Sequence, residues 1–93
     1  MNQKLNSEEV NRLFEAIAAL KDVDECKDFF GDLCTINEIL SMSQRLQVAR
    51  LLKEHETYVD IAGETGASTA TISRVNRALN YGTGGYDKIL SRL

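Results

Sequence analysis

Apolar residues recur along the chain at helical spacing. Val10, Leu13, Phe14, Ile17 and Leu20 form one stripe, opened by Ser7 as a hydroxyl cap with Glu8 and Glu9 in the first turn. Residues 1–6, ahead of it, are expected to fray. Residues 21–24 are a polar break. Residues 25–33 predict a short helix or turn carrying Cys26, Phe29, Phe30 and Leu33, weakened near its end by Gly31. Thr35, Ile36, Asn37 and Glu38 have the form of a capping box and open the longest helix, about residues 36–53. Ile36, Ile39, Leu40, Leu46, Val48, Ala49, Leu51 and Leu52 make that helix apolar over more than half its circumference. Such a helix is expected to be buried on several sides, as a central helix in a dimer core would be. Arg45 and Arg50 lie among these residues, where long basic side chains snorkel to solvent.

The next stretch, about residues 58–80, has the grammar of a helix-turn-helix. Thr57 caps its first helix and Asp60 places negative charge in the first turn. Ile61 and Ala62 face inward, and the small Ala62 lets a second helix cross closely. Gly66 follows where the chain must turn sharply, and Ser68 caps the second helix. There Ile72, Val75 and Leu79 form an apolar stripe, while Thr69, Ala70, Ser73, Arg74 and Arg77 occupy the opposite face. Short hydroxyl side chains followed by arginines, near a helix N-terminus, suit base edges and phosphates. The same spacing in a plain helical hairpin would leave the arginines solvated. The combination of Gly66, the hydroxyl cap and an acid-free face favours DNA. Gly82 then serves as a C-cap, and residues 86–93 predict a closing helix with Ile89, Leu90 and Leu93 apolar.

Composition narrows the classes. Ninety-three residues without Pro or Trp make one small, mostly helical domain, 1–93, whose core is marginal alone and fits a core shared with a second chain. No apolar run approaches a membrane span and no signal peptide opens the chain, so a soluble cytoplasmic protein is expected. The net charge of −3 opposes DNA binding only until it is divided. Residues 1–40 hold four basic and nine acidic side chains; from Ser68 onward there are four basic residues and one acid. The positive charge is therefore local to the expected reading helix.

Chemistry is sparse elsewhere. Cys26 and Cys34, eight residues apart with no His nearby, lack metal-ligand spacing and are expected to be small buried apolar residues. His55, the one histidine, falls near a helix end, where an imidazolium complements the dipole. The Gly-rich residues 82–85 lack the Lys-Ser/Thr of a phosphate loop. With no nucleophile–base pair and no metal cluster, no enzyme and no cofactor is expected.

The capping box, Arg45, the run GASTATISRVNRAL and the tail YGTGGY together resemble the Trp repressor superfamily, and within it the YerC/YecD-like branch. The resemblance spans residues 33–86 and implies an all-α, intertwined homodimer in which the first and long helices of both chains build one core. It implies a sequence-specific transcriptional regulator, acting as a repressor and reading a palindromic operator in double-stranded DNA. Thr69, Ala70 and Ser73 match groove-facing positions; Ser68, Arg74 and Arg77 complete the expected DNA set. Arg45 and Arg74 match the two arginines that enclose the tryptophan co-repressor, and Thr35 and Thr71 match further lining positions. Val75 also belongs to this effector pocket, but stands where the Trp repressor has a glycine. Ala78 replaces a hydroxyl there. A branched side chain in a slot for a flat indole costs about 1–3 kcal/mol, which argues against tryptophan. A smaller amino acid such as histidine, another metabolite or no ligand remains. A protein-interaction adaptor on the same scaffold is the alternative function.

Overall fold

The computed structural model describes residues 3–93, and the fold is all-α. Gln3–Leu5 form a 3-10 turn where fraying was expected; residues 1 and 2 of that stretch lie outside the described residues. The α-helices are α1 (Glu8–Ala18), α2 (Val23–Leu33), α3 (Ile36–Lys53), α4 (Tyr58–Thr65), α5 (Thr69–Tyr81) and α6 (Gly85–Leu90). They fall into two compact units, one running to Ile36 and one from Asn37 to Leu93.

The first unit carries α1 and α2. Ser7 Oγ accepts from Val10 N at 3.2 Å, which fixes the start of α1. The break before α2 is shorter than its polarity suggests, because Asp22 is itself a cap. Its carboxylate accepts from Glu25 N at 2.8 Å, and Glu25 Oε1 accepts from Lys21 N at 3.0 Å. Two donors at the helix start are thereby satisfied, so α2 begins at Val23. Phe29 and Phe30 meet edge to face with centroids 5.8 Å apart. Cys26 and Cys34 are free thiols and only half-buried, not the buried residues expected, since so short a unit encloses little.

The second unit holds the core. Val48, Ala49 and Leu51 of α3, Ile61 of α4, Ala67 of the following turn, and Ile72 and Val75 of α5 are buried together. Leu52, Ala62, Leu79, Tyr86 and Leu90 pack around them. Enclosing Ile61, Ile72, Val48 and Val75 completely is worth about 1.5–3 kcal/mol each. α3 spans the residues its pattern predicts, but within a single chain it is buried only towards its C-terminal half. Ile36 and Leu40 are 77% and 60% exposed, so the expected burial on several sides is not met by this chain alone.

α3 ends in a Schellman motif. Glu56 N donates to Leu51 O at 3.2 Å and His55 N to Leu52 O at 3.0 Å. His55 takes the left-handed position with φ 64°, a conformation usually given to glycine. α6 stops at Leu90, short of the expected end, and Leu93 beyond it is 86% exposed. Lys53 Nζ pairs with Asp87 Oδ1 at 2.9 Å, joining the end of α3 to α6. Gly82 caps α5 in an extended conformation, where an added Cβ would strike the Ala78 carbonyl, so close approach rather than positive φ requires glycine.

A left-handed L-residue costs about 1–2 kcal/mol, and glycine returns about 0.5–1 of that in extra unfolded-state entropy. His55→Gly should therefore stabilise the protein by about 0.5–1 kcal/mol in equilibrium denaturation. A loss of stability would show that the imidazole makes a contact that outweighs the backbone strain.

Candidate nucleic-acid interface

Two helices and a three-residue connection build the candidate surface. Thr57 Oγ1 accepts from Asp60 N at 3.2 Å and starts α4. Gly66 closes it with φ 72°, a conformation that a Cβ would strain. Ser68 starts α5: its Oγ accepts from Thr71 N at 3.1 Å and donates to Thr71 Oγ1 at 3.1 Å. Side-chain bonds not foreseen from the sequence stiffen the turn. Thr65 Oγ1 donates to Ile61 O at 2.7 Å and accepts from Ala67 N at 3.1 Å. Gln44 Nε2, on α3, donates to Thr65 O at 3.1 Å. A Ser/Thr hydroxyl bonding back four residues is a weak local signal, and the Gln44 bond joins residues 21 apart, so only the fold discloses it.

With Ile72 and Val75 locked in the core, α5 must turn its other face to solvent. Thr69, Ala70, Ser73, Arg74 and Arg77 are all exposed there, and Ser68 is exposed at the N-terminus. Residues 69, 70, 73, 74 and 77 share one side of a helix with 3.6 residues per turn. No acidic residue lies on α5, and among the described residues neither Arg74 nor Arg77 enters an ion pair. The N-terminal end of a helix also presents outward N–H groups and a partial positive charge. Small hydroxyl groups, a methyl and two unpaired guanidiniums on a rigid, well-capped helix can approach base edges and phosphates.

The expected effector-pocket residues are distributed differently. Arg45 is half-buried on α3, and Thr71 is half-buried on α5 with its hydroxyl accepting from Ser68. Arg74 is exposed, while Val75 is 1% exposed and belongs to the core. Thr35 is exposed immediately before α3, in the first unit. Two adjoining grooves between α3 and α6, of about 370 and 340 Å³, share Arg50, Leu90 and Leu93 in their lining and involve none of these residues. Arg50 itself is exposed and pairs with Glu54 at 3.4 Å, consistent with a snorkelling side chain.

The sequence of this chain is matched over residues 8–93 by the family model described as Trp repressor protein. The "Uncharacterized protein YerC" of Bacillus subtilis (strain 168) is 59% identical over 90 residues, which cover 97% of this chain and 86% of that protein. A TrpR-like protein from Eubacterium eligens ATCC 27750 has a crystal structure that superposes with a TM-score of 0.94 at 65% identity, covering 98% of this chain and 94% of the other. A putative Trp repressor from Staphylococcus aureus gives 0.92 at 53% identity, covering 97% and 90%. Among the described residues no helix is long and apolar enough to cross a membrane. The chain belongs to the Trp repressor protein family, a family of DNA-binding regulators, and within it to the YerC-like branch.

Proposed function

We propose that this protein is a cytoplasmic transcriptional repressor that reads a palindromic operator as a homodimer, the whole chain 1–93 acting as one domain. The observation that carries the reading is the outward face of α5: acid-free, bearing two arginines without ion pairs, and fixed from behind by Ile72 and Val75. Thr69, Ala70 and Ser73 touch base edges in the major groove. Arg77 and the backbone near Ser68 touch phosphates; Arg74 on the same face does so where it holds no effector. A two-fold dimer then prefers half-sites about one helical turn apart. Selection from random duplexes should yield such a palindrome. Changing Thr69 should alter the preferred base, with about 1–3 kcal/mol of discrimination at stake. Arg77→Ala should weaken all sequences alike. An unaltered selected sequence after Thr69 substitution, with affinity intact, would overturn the groove assignment.

Apolar surface that one chain leaves uncovered supports the dimer. Leu13 and Phe14 on α1, Leu33 on α2, and Ile36, Leu40, Met42 and Leu46 on α3 are all exposed. Large apolar side chains left exposed on each of these helices favour burial against a partner. A second copy offers the same faces and covers them by symmetry. Unfolding midpoints should then rise with protein concentration. A midpoint constant over a hundredfold dilution, with the mass of one chain in solution, would refute the dimer.

The site proposed for any small effector lies between Arg45 and Arg74, with a ligand-independent regulator as the alternative. Two guanidiniums facing one cavity repel until an anion lies between them, and a carboxylate there would set the tilt of the reading helix. Val75, standing where the Trp repressor has a glycine, favours a ligand smaller than tryptophan, or none. Calorimetry of tryptophan, histidine and other amino acids against the free dimer, repeated with Arg45→Ala, tests this. Tight tryptophan binding would contradict the reading of Val75. Strong operator binding indifferent to every amino acid would leave a ligand-independent regulator.

A further inference from the structure

Thr65 is bonded both to α3 and toward α5. It is the last residue of α4, and the final turn of a helix leaves its carbonyls without partners inside the helix. Gln44 Nε2 supplies a partner for Thr65 O at 3.1 Å. Gln44 shares a helix face with Val48 and Leu51, the stripe of α3 that enters the core, and both Gln44 and Thr65 are half-buried. From Thr65 the bonding continues. Its hydroxyl donates to Ile61 O at 2.7 Å and accepts from Ala67 N at 3.1 Å. Ala67 is buried in the core, and Ser68 beside it caps α5. The path from Gln44 to the first turn of α5 thus runs through bonded or adjacent groups, and that turn carries Thr69 and Ala70.

We propose that Gln44 is a positioning residue for DNA reading. Its amide latches the α4–α5 turn to α3 and thereby sets how Thr69 and Ala70 approach the bases. This role rests on α5 being the reading helix, and extends the reading machinery to an uncharged side chain on a different helix. Every group on the path belongs to the chain itself, so the latch closes in the free protein. A helix held in its binding orientation beforehand loses less freedom on the duplex, which raises affinity without a further contact. Loss of the Nε2 donor leaves Thr65 O open and frees the turn. It deletes no phosphate contact, so affinity falls while the salt dependence stays.

The test compares wild type with two variants of the full chain. Gln44→Met keeps the length of the side chain and loses the donor; Gln44→Glu regains a donor only when its carboxyl is protonated. Without DNA, amide exchange at Gly66 and Ala67 should quicken in Gln44→Met, while Val48 and Ala49 keep wild-type rates. In Gln44→Glu the backbone NMR signals of residues 65–67 should depart from wild type at neutral pH and return toward it in acid. On the duplex selected by wild type, well below Tm, Gln44→Met should bind about two- to tenfold more weakly, the worth of one hydrogen bond. The slope of log K against log salt should be unchanged. Turn amides indifferent to Gln44→Met would overturn the latch, whatever happens on DNA. Turn amides that loosen while affinity holds, or a shallower salt slope, would overturn the positioning role. Failure of wild type to bind any duplex would overturn the reading of α5 itself, and the positioning role with it.

Discussion

Burial of Ile61, Ile72 and Val75 against Val48 and Ala49 is the constraint on which the rest depends. These side chains come from three helices and leave no room between them, so α4 and α5 cannot rotate about their axes without opening a void. Interiors are packed densely enough that such voids are felt at the level of a single methylene. The orientation of the outward face of α5 is thus decided on its inward side. The caps at Thr57 and Ser68 and the left-handed Gly66 determine where the two helices begin and end. Gln44, bonded to the carbonyl of Thr65, then ties the turn between them to α3. The recognition chemistry proposed for α5 would be presented by a scaffold that carries none of it.

Where structure is encoded locally, the chain is legible without coordinates. Ser7, Thr57 and Ser68 each satisfy a donor three residues away, and the span of α3 follows from its apolar repeat. The exposed set on α5 is the complement of its buried stripe. What escapes such reading depends on partners distant in sequence or on a departure from the usual residue. His55 occupies a position ordinarily held by glycine, so nothing in its identity announces the Schellman motif. Asp22 lies among other charged residues, so its identity alone does not single it out as the cap. The bond from Gln44 to Thr65 joins residues whose proximity only folding creates. The α3 pattern predicts burial on several sides, yet Leu40 and Leu46 are exposed in one chain, because periodicity reports which face is apolar and not which molecule covers it.

Charge and apolar surface divide the labour along the sequence. Residues 1–40 are strongly acidic and also carry the uncovered apolar faces of α1 and α2, while residues from Ser68 onward are net basic. An acidic segment beside a phosphate backbone would weaken the proposed DNA binding. A protein-interaction adaptor would use the apolar faces and leave Arg74 and Arg77 idle. A DNA reader needs both, the first to pair the heads and the second to engage phosphate.

The two functions differ most sharply in their response to salt. Phosphate contacts release condensed counterions, so log K for a DNA reader falls linearly with log salt at a slope near −0.9 per neutralised phosphate. An apolar protein interface lacks that dependence. The decisive measurement is a titration of a labelled palindromic duplex with the purified protein over a range of salt concentrations. Steep, linear loss of affinity is the predicted result. Absence of duplex binding at low salt, or an affinity indifferent to salt, would contradict the assignment of α5 as a DNA-reading helix.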